Sequence, residues 1–418
     1  MKKYDVVVFG GGFAGSAAAI AAARGGARVL LCEQSNCLGG AATNSLVNPF
    51  MNYGTKIDGK YFPLSRGIFA EIVEKLKNFE YCKGANGNTF SEECLKLVLM
   101  RTAIEAGVEL LFRVAFVRAE RDGGRVTSVT FVGKSGEFTL EADCFIDASG
   151  DADLVYSAGF PTRLGRESDG LCQPMTLCFR VAGVDRSKYD RNAINVLYKA
   201  LKDEGKFRNP REDVLIFDTL DPTVLHFNTT RVVKMNPTDP YDISRAEIEA
   251  REQVFEMFDF LKKNFEAFSD SYVISTGMQT GARESRMTDG EYILTESDIV
   301  ACRRFDDTVA LGNYDIDIHN PEGSGTSHYY FPDGKYYTIP YRSLIPKGAE
   351  NLLVAGRCIS VDHGAQASIR IMPIVCCIGE AAGTAAALAV KYKVGVNEVD
   401  VSKLTNTLIG NGALPEKF

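Results

Sequence analysis

The sequence predicts an α/β fold in two domains, and three observations carry that prediction. First, short apolar runs at 5–9, 28–32, 109–111 and 144–147 alternate with helical patterns at 15–24 and 91–106, which predicts a parallel sheet with helices on its faces. Second, the runs 113–120, 125–133 and 137–141 are separated by Asp122-Gly123-Gly124 and Lys134-Ser135-Gly136. Those are hairpin turn signals, so a three-stranded meander is inserted before the last strand of the sheet. Third, the pattern changes between Gly165 and Ser343, where strands at 175–181 and 223–233 flank a long amphipathic helix at 245–268. A buried strand and turn then return at 351–357, and a helix rich in small residues follows at 371–391. Residues 1–164 and 344–418 therefore form one discontinuous domain, and 165–343 a second, α+β domain that covers a substrate.

Composition narrows the function. The chain has 418 residues and is 45% hydrophobic, which suits two globular cores. Its 47 basic residues against 54 acidic ones leave a net charge of -7, which repels a phosphate backbone and sets no expectation of nucleic acid. The first apolar stretch turns to glycine at Gly10, too soon for a secretory segment, so a cytoplasmic protein is expected. The apolar segment 371–390 carries Glu380 in its middle and many small residues, and reads as a buried helix rather than a membrane span. Eleven cysteines and four histidines occur without Cys-x-x-Cys or zinc spacing, so no metal is expected and the thiols read as structural. Cys32 falls inside a strand and Cys37 precedes a glycine pair, which is not the placement of a redox-active disulfide.

The strongest motif is Gly10-Gly11-Gly12-Phe13-Ala14-Gly15, which matches G-x-G-x-x-G after an apolar strand and at the opening of an Ala-rich helix. Gly10 permits the tight turn, Gly12 lets the backbone approach a pyrophosphate, and Gly15 allows close packing of helix on sheet. The helix N-terminus attracts the anion. Glu33 ends the second strand roughly 20 residues on, where an acid accepts hydrogen bonds from ribose hydroxyls. Together these make a Rossmann-like dinucleotide site. Gly39-Gly40-Ala41-Ala42 lets the backbone approach a second part of a long cofactor. Ala148-Ser149-Gly150 is a strand end of small residues along which the cofactor can pass. Gly356-Arg357 is a C-terminal strand exit, and Ser368-Ile369-Arg370-Ile371 is placed at the start of the last helix, whose dipole suits negative charge on the cofactor.

These segments resemble the FAD-dependent oxidoreductase family of the two-dinucleotide-binding-domain, glutathione-reductase-like flavoproteins, over nearly the whole chain. Thr280-Gly281-Ala282-Arg283-Glu284-Ser285-Arg286 is similar to the family's Arg-Glu-x-Arg segment, and Asp315-Ile316-Asp317-Ile318-His319 to its Asp-Ile-His segment. Tyr337 to Leu344, Gly356 to Ser360 and Ser368 to Arg370 are similar to its closing FAD-binding stretch. The resemblance implies noncovalently bound FAD and redox chemistry on a substrate it does not name. One departure is Arg286-Met287, where an arginine pair is common in the family, so an anion clamp must come from Arg283 and Arg286 alone. No second G-x-G-x-x-G follows, which argues against a nicotinamide domain and for a separate electron donor or acceptor.

A flavin supplies the hydride chemistry and leaves the protein to hold a substrate and move a proton. His363, in the loop that the resemblance places beside the isoalloxazine, is the first candidate for the proton, because imidazole titrates near neutrality. His319, with Asp317 on the same side of a strand-like stretch, is the second. Arg283 suits binding of a carboxylate or other anionic group. The expectation is an oxidoreductase acting on a polar small molecule. The competing readings are a flavin-dependent nucleotide- or tRNA-modifying enzyme and a non-catalytic FAD-holding electron-transfer protein.

Overall fold

The computed structural model describes residues 4–81 and 83–417. The apolar runs are strands Tyr4–Phe9, Val29–Glu33 and Ala142–Asp147, and they read as continuously hydrophobic because helices cover the sheet. With Glu109–Phe112 and Leu352–Val354 they form a parallel sheet of mixed α/β type. Its order runs Leu352–Val354, Ala142–Asp147, Tyr4–Phe9, Val29–Glu33, Glu109–Phe112, so both ends of the chain share one sheet. Strands Ala115–Asp122, Arg125–Gly133 and Gly136–Leu140 pair antiparallel and lie between the third and fourth strands of that sheet in chain order. Phe131 pins this small sheet to the large one by an edge contact with Phe9 at 5.6 Å.

Two helices lie against one another on the sheet, Phe13–Arg24 and Met372–Tyr392. Small residues at four-residue spacing on each allow their backbones to touch. A Cβ at Gly379 would sit 2.0 Å from the Ala14 carbonyl oxygen, and one at Gly383 would sit 2.0 Å from that of Ala18. The second of these helices is not the last, as the sequence suggested, because Val401–Gly410 follows it. Ser368 belongs to a separate short helix, His363–Ile369, and Ile371 is the N-cap of the long one, because the chain bends at Arg370. Among the described residues, Met372–Tyr392 is the one helix long and apolar enough to cross a membrane, and 83% of its most apolar window is buried inside the protein.

A second hydrophobic core lies between an antiparallel sheet and the helix Pro240–Asn264. The sheet runs Ile216–Asp218, Leu225–Phe227, Phe179–Ala182, Tyr272–Thr276. The helix starts before the expected residue 245 because Asp239 accepts from the amides of Tyr241 and Asp242, both at 2.9 Å, with Pro240 in the first turn. Its predicted end at 268 is a separate 3-10 turn, Glu266–Phe268. This core draws on residues between Met175 and Phe268, whereas Met287 to Tyr341 contribute to the first core. The buried strand Thr308–Gly312 explains the difference, since it pairs with Tyr337–Pro340 and packs against Met372–Tyr392.

The helix–helix contact makes a test remote from any ligand. Gly383→Ala should lower the midpoint of thermal unfolding, at a cost of about 1–3 kcal/mol, because the two helices must separate. A midpoint equal to that of the parent, by calorimetry, would contradict a backbone contact between the two helices at Gly383.

Candidate functional site

The four glycine-rich strings converge on one turn. Gly10 has φ +96°, and a Cβ there would lie 2.3 Å from the carbonyl oxygen of Ala148, at the end of the neighbouring strand. A Cβ at Gly15 would lie 1.7 Å from the Gly10 oxygen, so the turn closes on itself only without side chains. Gly39 donates its amide to the Gly11 oxygen at 2.8 Å, which lays the 38–40 loop along the turn. Gly356, at φ +91°, comes against Ala14 in the first turn of the helix.

Gly12 is different. Its φ of −61° suits any residue, and a Cβ there would meet nothing nearer than the Gly40 Cα at 3.9 Å. The protein therefore leaves open space beside Gly12, where an approaching pyrophosphate needs it, and no side chain caps the helix that begins at Phe13. Glu33 is 6% exposed and holds the turn from below, accepting from the Gly11 amide at 2.5 Å and the Ser35 amide at 2.7 Å. Each carboxylate oxygen keeps a lone pair for a ribose hydroxyl. The open space beside Gly12, the uncapped helix start and the remaining lone pairs of Glu33 fit a dinucleotide such as FAD, with Gly10, Ala14, Gly15, Gly39, Gly40, Ala41 and Ala42 neighbouring the turn and the Phe13 ring packed inward against Phe50 and Phe69.

At the strand exit, Asp147 is fully buried and accepts from the Ser149 amide and hydroxyl at 3.0 and 2.6 Å and from the amides of Leu154 and Val155 at 2.9 and 3.1 Å. Burial pushes its carboxyl up, although these bonds act the other way. The Ser149 hydroxyl is thereby committed, so Ala148, Ser149 and Gly150 offer a cofactor mainly backbone. Arg357 donates to the Gly150 oxygen at 2.9 Å and pairs with Asp151, and the Ser368 hydroxyl is held between Tyr314 and Tyr337. Both belong to strings expected to bind the cofactor, and their side chains tie segments of the protein together.

The string Arg283 to Arg286 fans out residue by residue. Arg286 donates to the Asp151 oxygen at 3.0 Å, pairs with Asp153 at 2.6 Å and lies over the Tyr156 ring. It is a tie to the strand exit, which overturns the expected clamp of Arg283 with Arg286. Ser285 donates to the Gly150 oxygen at 3.1 Å. Glu284, fully buried, accepts from the Gln173 amide at 2.8 Å and lies 2.8 Å from His363 Nδ1. Arg283 reaches the other way and donates to the Pro174 oxygen at 2.7 Å and Thr176 Oγ1 at 2.6 Å.

His363 opens a short helix rather than sitting in a loop, because Asp362 caps that helix by accepting from the Ala365 amide at 2.7 Å. An ionised carboxylate only accepts, so Nδ1 carries a proton toward Glu284, and Nε2 has no hydrogen-bond partner among the described residues. His319 has no such freedom. Arg231 donates to its Nδ1 at 2.8 Å, and its Nε2 gives its proton toward Asp317 at 3.2 Å. Both are buried, at 5% and 8% exposure, so this is no surface ion pair. Burial and nearby Arg283 push the His319 pKa well below the usual imidazole range despite Asp317. Burial alone would raise the Asp317 carboxyl, yet His319, Arg370 and Arg283 hold it far below the usual range.

Gln173 links the two histidines, since its amide meets Glu284 and its side-chain oxygen lies 3.4 Å from the His319 amide. Arg370 donates to Asp317 Oδ2 at 3.1 Å. Glu284, Gln173 and Arg231 were not singled out from sequence, although Glu284 stands inside the Arg-Glu-x-Arg string and was visible there. Burial pushes the Cys32 thiol up to about 12 and raises that of Cys358, as inert structural thiols require. No group of three or more metal-ligating side chains occurs among the described residues.

The family model for FAD dependent oxidoreductases matches residues 5–408. The chain belongs to the FAD-dependent oxidoreductase family. It is thus an FAD-dependent flavoenzyme with an oxidoreductase's cofactor, and its glycine cradle is built accordingly. No curated protein is similar enough in sequence to match it. Among solved structures, it is similar to a geranylgeranyl bacteriochlorophyll reductase-like protein from Thermoplasma acidophilum at 15% identity and TM-score 0.47, covering 99% of this chain and 85% of that one. It is also similar to a p-nitrophenol 4-monooxygenase from Pseudomonas putida at 13% identity and TM-score 0.46, covering 97% and 84%. A flavin-dependent brominase matches at 14% identity and TM-score 0.46, covering 97% and 82%. The assignment rests on the family match alone.

Gly12→Ala separates cofactor from fold, because the added methyl clashes with nothing in the protein and enters the cofactor's space. The variant should fold like the parent without ligand and bind FAD at least about tenfold more weakly. Flavin occupancy after purification, together with the unfolding midpoint of FAD-free protein, checks both halves. Full occupancy would move the pyrophosphate site elsewhere.

Proposed function

We propose that this protein is a glutathione-reductase-like flavoenzyme, without a nicotinamide domain of its own, that oxidises or reduces a polar, anionic organic substrate. FAD, when bound, supplies two-electron chemistry by accepting or giving a hydride at N5. The observation that carries the reading is the His363–Glu284 pair. Glu284 fixes the tautomer and orientation of the ring, and Nε2 is free to take a proton from a substrate being oxidised, or to return it in the opposite direction. Glu284 stabilises the imidazolium that forms. Gln173 steadies Glu284 from its far side. His319 is read as structural, since its two nitrogens are committed and its charge is suppressed. Arg283 supports the anionic substrate, because no carboxylate lies within ion-pair distance of it among the described residues. Burial, with Arg370, Arg211 and Arg231 nearby, lowers its pKa to about 9, which leaves it a cation at neutral pH. A separate electron donor or acceptor completes the cycle.

The test is an anaerobic screen of organic acids and alcohols for those that bleach the bound flavin. With the substrate so found, His363→Gln should slow bleaching by about 10²–10⁴-fold while flavin content is unchanged. Glu284→Gln should slow it less and shift the pH profile. A His363→Gln variant as fast as the parent, or a screen in which nothing bleaches the flavin, would contradict this reading.

A further inference from the structure

The helix Pro240–Asn264 is apolar on two faces, and the second core covers one of them. Ala246, Ala250, Val254, Met257 and Leu261 recur every three or four residues and are buried in that core. Tyr241, Ile248 and Phe255 recur every seven residues on the opposite side and are 80%, 68% and 55% exposed. A seven-residue repeat drifts only about 20° per step around a helix, so the three side chains form one nearly straight stripe. It is also the spacing at which one helix packs along another.

The edge strand Tyr272–Thr276 widens this face. It runs antiparallel along the helix, because Lys262 donates to the Ser271 oxygen at 3.1 Å, Arg251 to Thr276 Oγ1 at 3.4 Å, and the Thr280 hydroxyl to Glu247 at 2.9 Å. Tyr272, Ile274 and, just beyond the strand, Met278 are each more than half exposed. Together the six side chains leave roughly 700 Å² open, above the ~300–600 Å² of the largest apolar patch on an ordinary monomer and close to the ~800 Å² that each partner gives to a stable interface.

Area does not say what covers the face, but the order of residues along the helix does. Tyr241, Ser244, Arg245 and Ile248 are four of the residues that line a surface hollow. They stand at i, i+3, i+4 and i+7, the four positions that make a hole for a knob from a facing helix. An identical helix laid antiparallel supplies that knob. When the second copy's Phe255 enters the hollow, its Ile248 falls level with the hole between Ile248, Arg251, Glu252 and Phe255, and two-fold symmetry repeats both contacts. In that register Arg245 lies within one helical turn of the second copy's Glu252 on one flank of the stripe. Arg251 and the second copy's Glu247 are related in the same way on the other flank, and each pair occurs twice. These four flanking charges cancel, so the face has no excess positive charge with which to attract an anionic lipid surface.

We propose that the protein associates with a second copy of itself through this helix, antiparallel about a two-fold axis level with residues 249 and 250. Sedimentation equilibrium of the FAD-loaded protein tests it, and at about 50 μM the dimer should be the main species. Ile248→Glu should weaken association at least about hundredfold, because the new charge occurs twice at the seam. Its flavin content and circular dichroism should match the parent's, since Ile248 is on the surface. Arg245→Glu and Glu252→Arg should each weaken association about tenfold by setting like charges together. The double variant should return to within about threefold of the parent, because the exchanged charges pair again.

A monomeric parent, a dimer that Ile248→Glu leaves intact, or a double variant no better than either single variant would each overturn the proposal. A monomer that sediments with vesicles of phosphatidylserine and phosphatidylcholine, and is released from them by Ile248→Glu, would overturn it in favour of a lipid surface.

Discussion

The fold depends on a turn with no room for a side chain at Gly10 or Gly15. Between Gly10 and Gly15 the backbone folds so tightly that a methyl at Gly15 would overlap the Gly10 carbonyl, and Gly10 itself abuts Ala148. That tightness sets the strand end of Ala142–Asp147, the 38–40 loop and the Gly356 exit against one point, although they come from distant parts of the sequence. It also aims an uncapped helix N-terminus at the space beside Gly12, the one glycine of the fingerprint whose missing side chain benefits a ligand instead of the protein. The small-residue contact between Phe13–Arg24 and Met372–Tyr392 then brings the C-terminal segment, and with it His363 and Arg370, to the same end of the sheet.

A second organising element is the extended string Arg283 to Arg286. Its residues reach different partners, so one short segment fixes the strand exit through Ser285 and Arg286, orients His363 through Glu284, and leaves Arg283 beside the segment 173–176. Ion pairs such as Arg286–Asp153 and Arg357–Asp151 contribute little to stability where water reaches them. Their consequence is positional. Glu284 is held buried and correctly aimed because its neighbours on both sides are anchored.

Much of this was legible in the sequence where a local pattern suffices. Gly10 to Gly15 with Glu33 announced the nucleotide cradle because strand, turn and helix follow within one unit. The strands of the sheet were visible because burial on both faces makes them continuous apolar runs. What was not legible depends on partners far apart in the chain. Nothing near His319 reveals that Arg231 occupies its Nδ1, and nothing near Arg286 reveals Asp153. Arg357 and Ser368 lie in cofactor-binding strings, yet their side chains serve the protein, which only the packing of distant segments decides. The second core is narrower than the change of pattern at 165–343 suggested, because Thr308–Gly312 is apolar enough to join either core and is captured by the C-terminal helix. The hairpin at Gly54–Ile57 and Lys60–Pro63 and the helix Ile68–Lys77 were not anticipated.

The site as a whole is an open turn beside Gly12, with Glu33 beneath it and the His363–Glu284 pair on the segment that the C-terminal helix contact brings to the same end of the sheet. Its most direct test is titration of the FAD-free protein with FAD, read by the quenching of flavin fluorescence, in the parent and in Glu33→Ala. Saturable binding in the parent that Glu33→Ala weakens at least about tenfold is the predicted result. Binding that Glu33→Ala leaves unchanged would contradict the cradle.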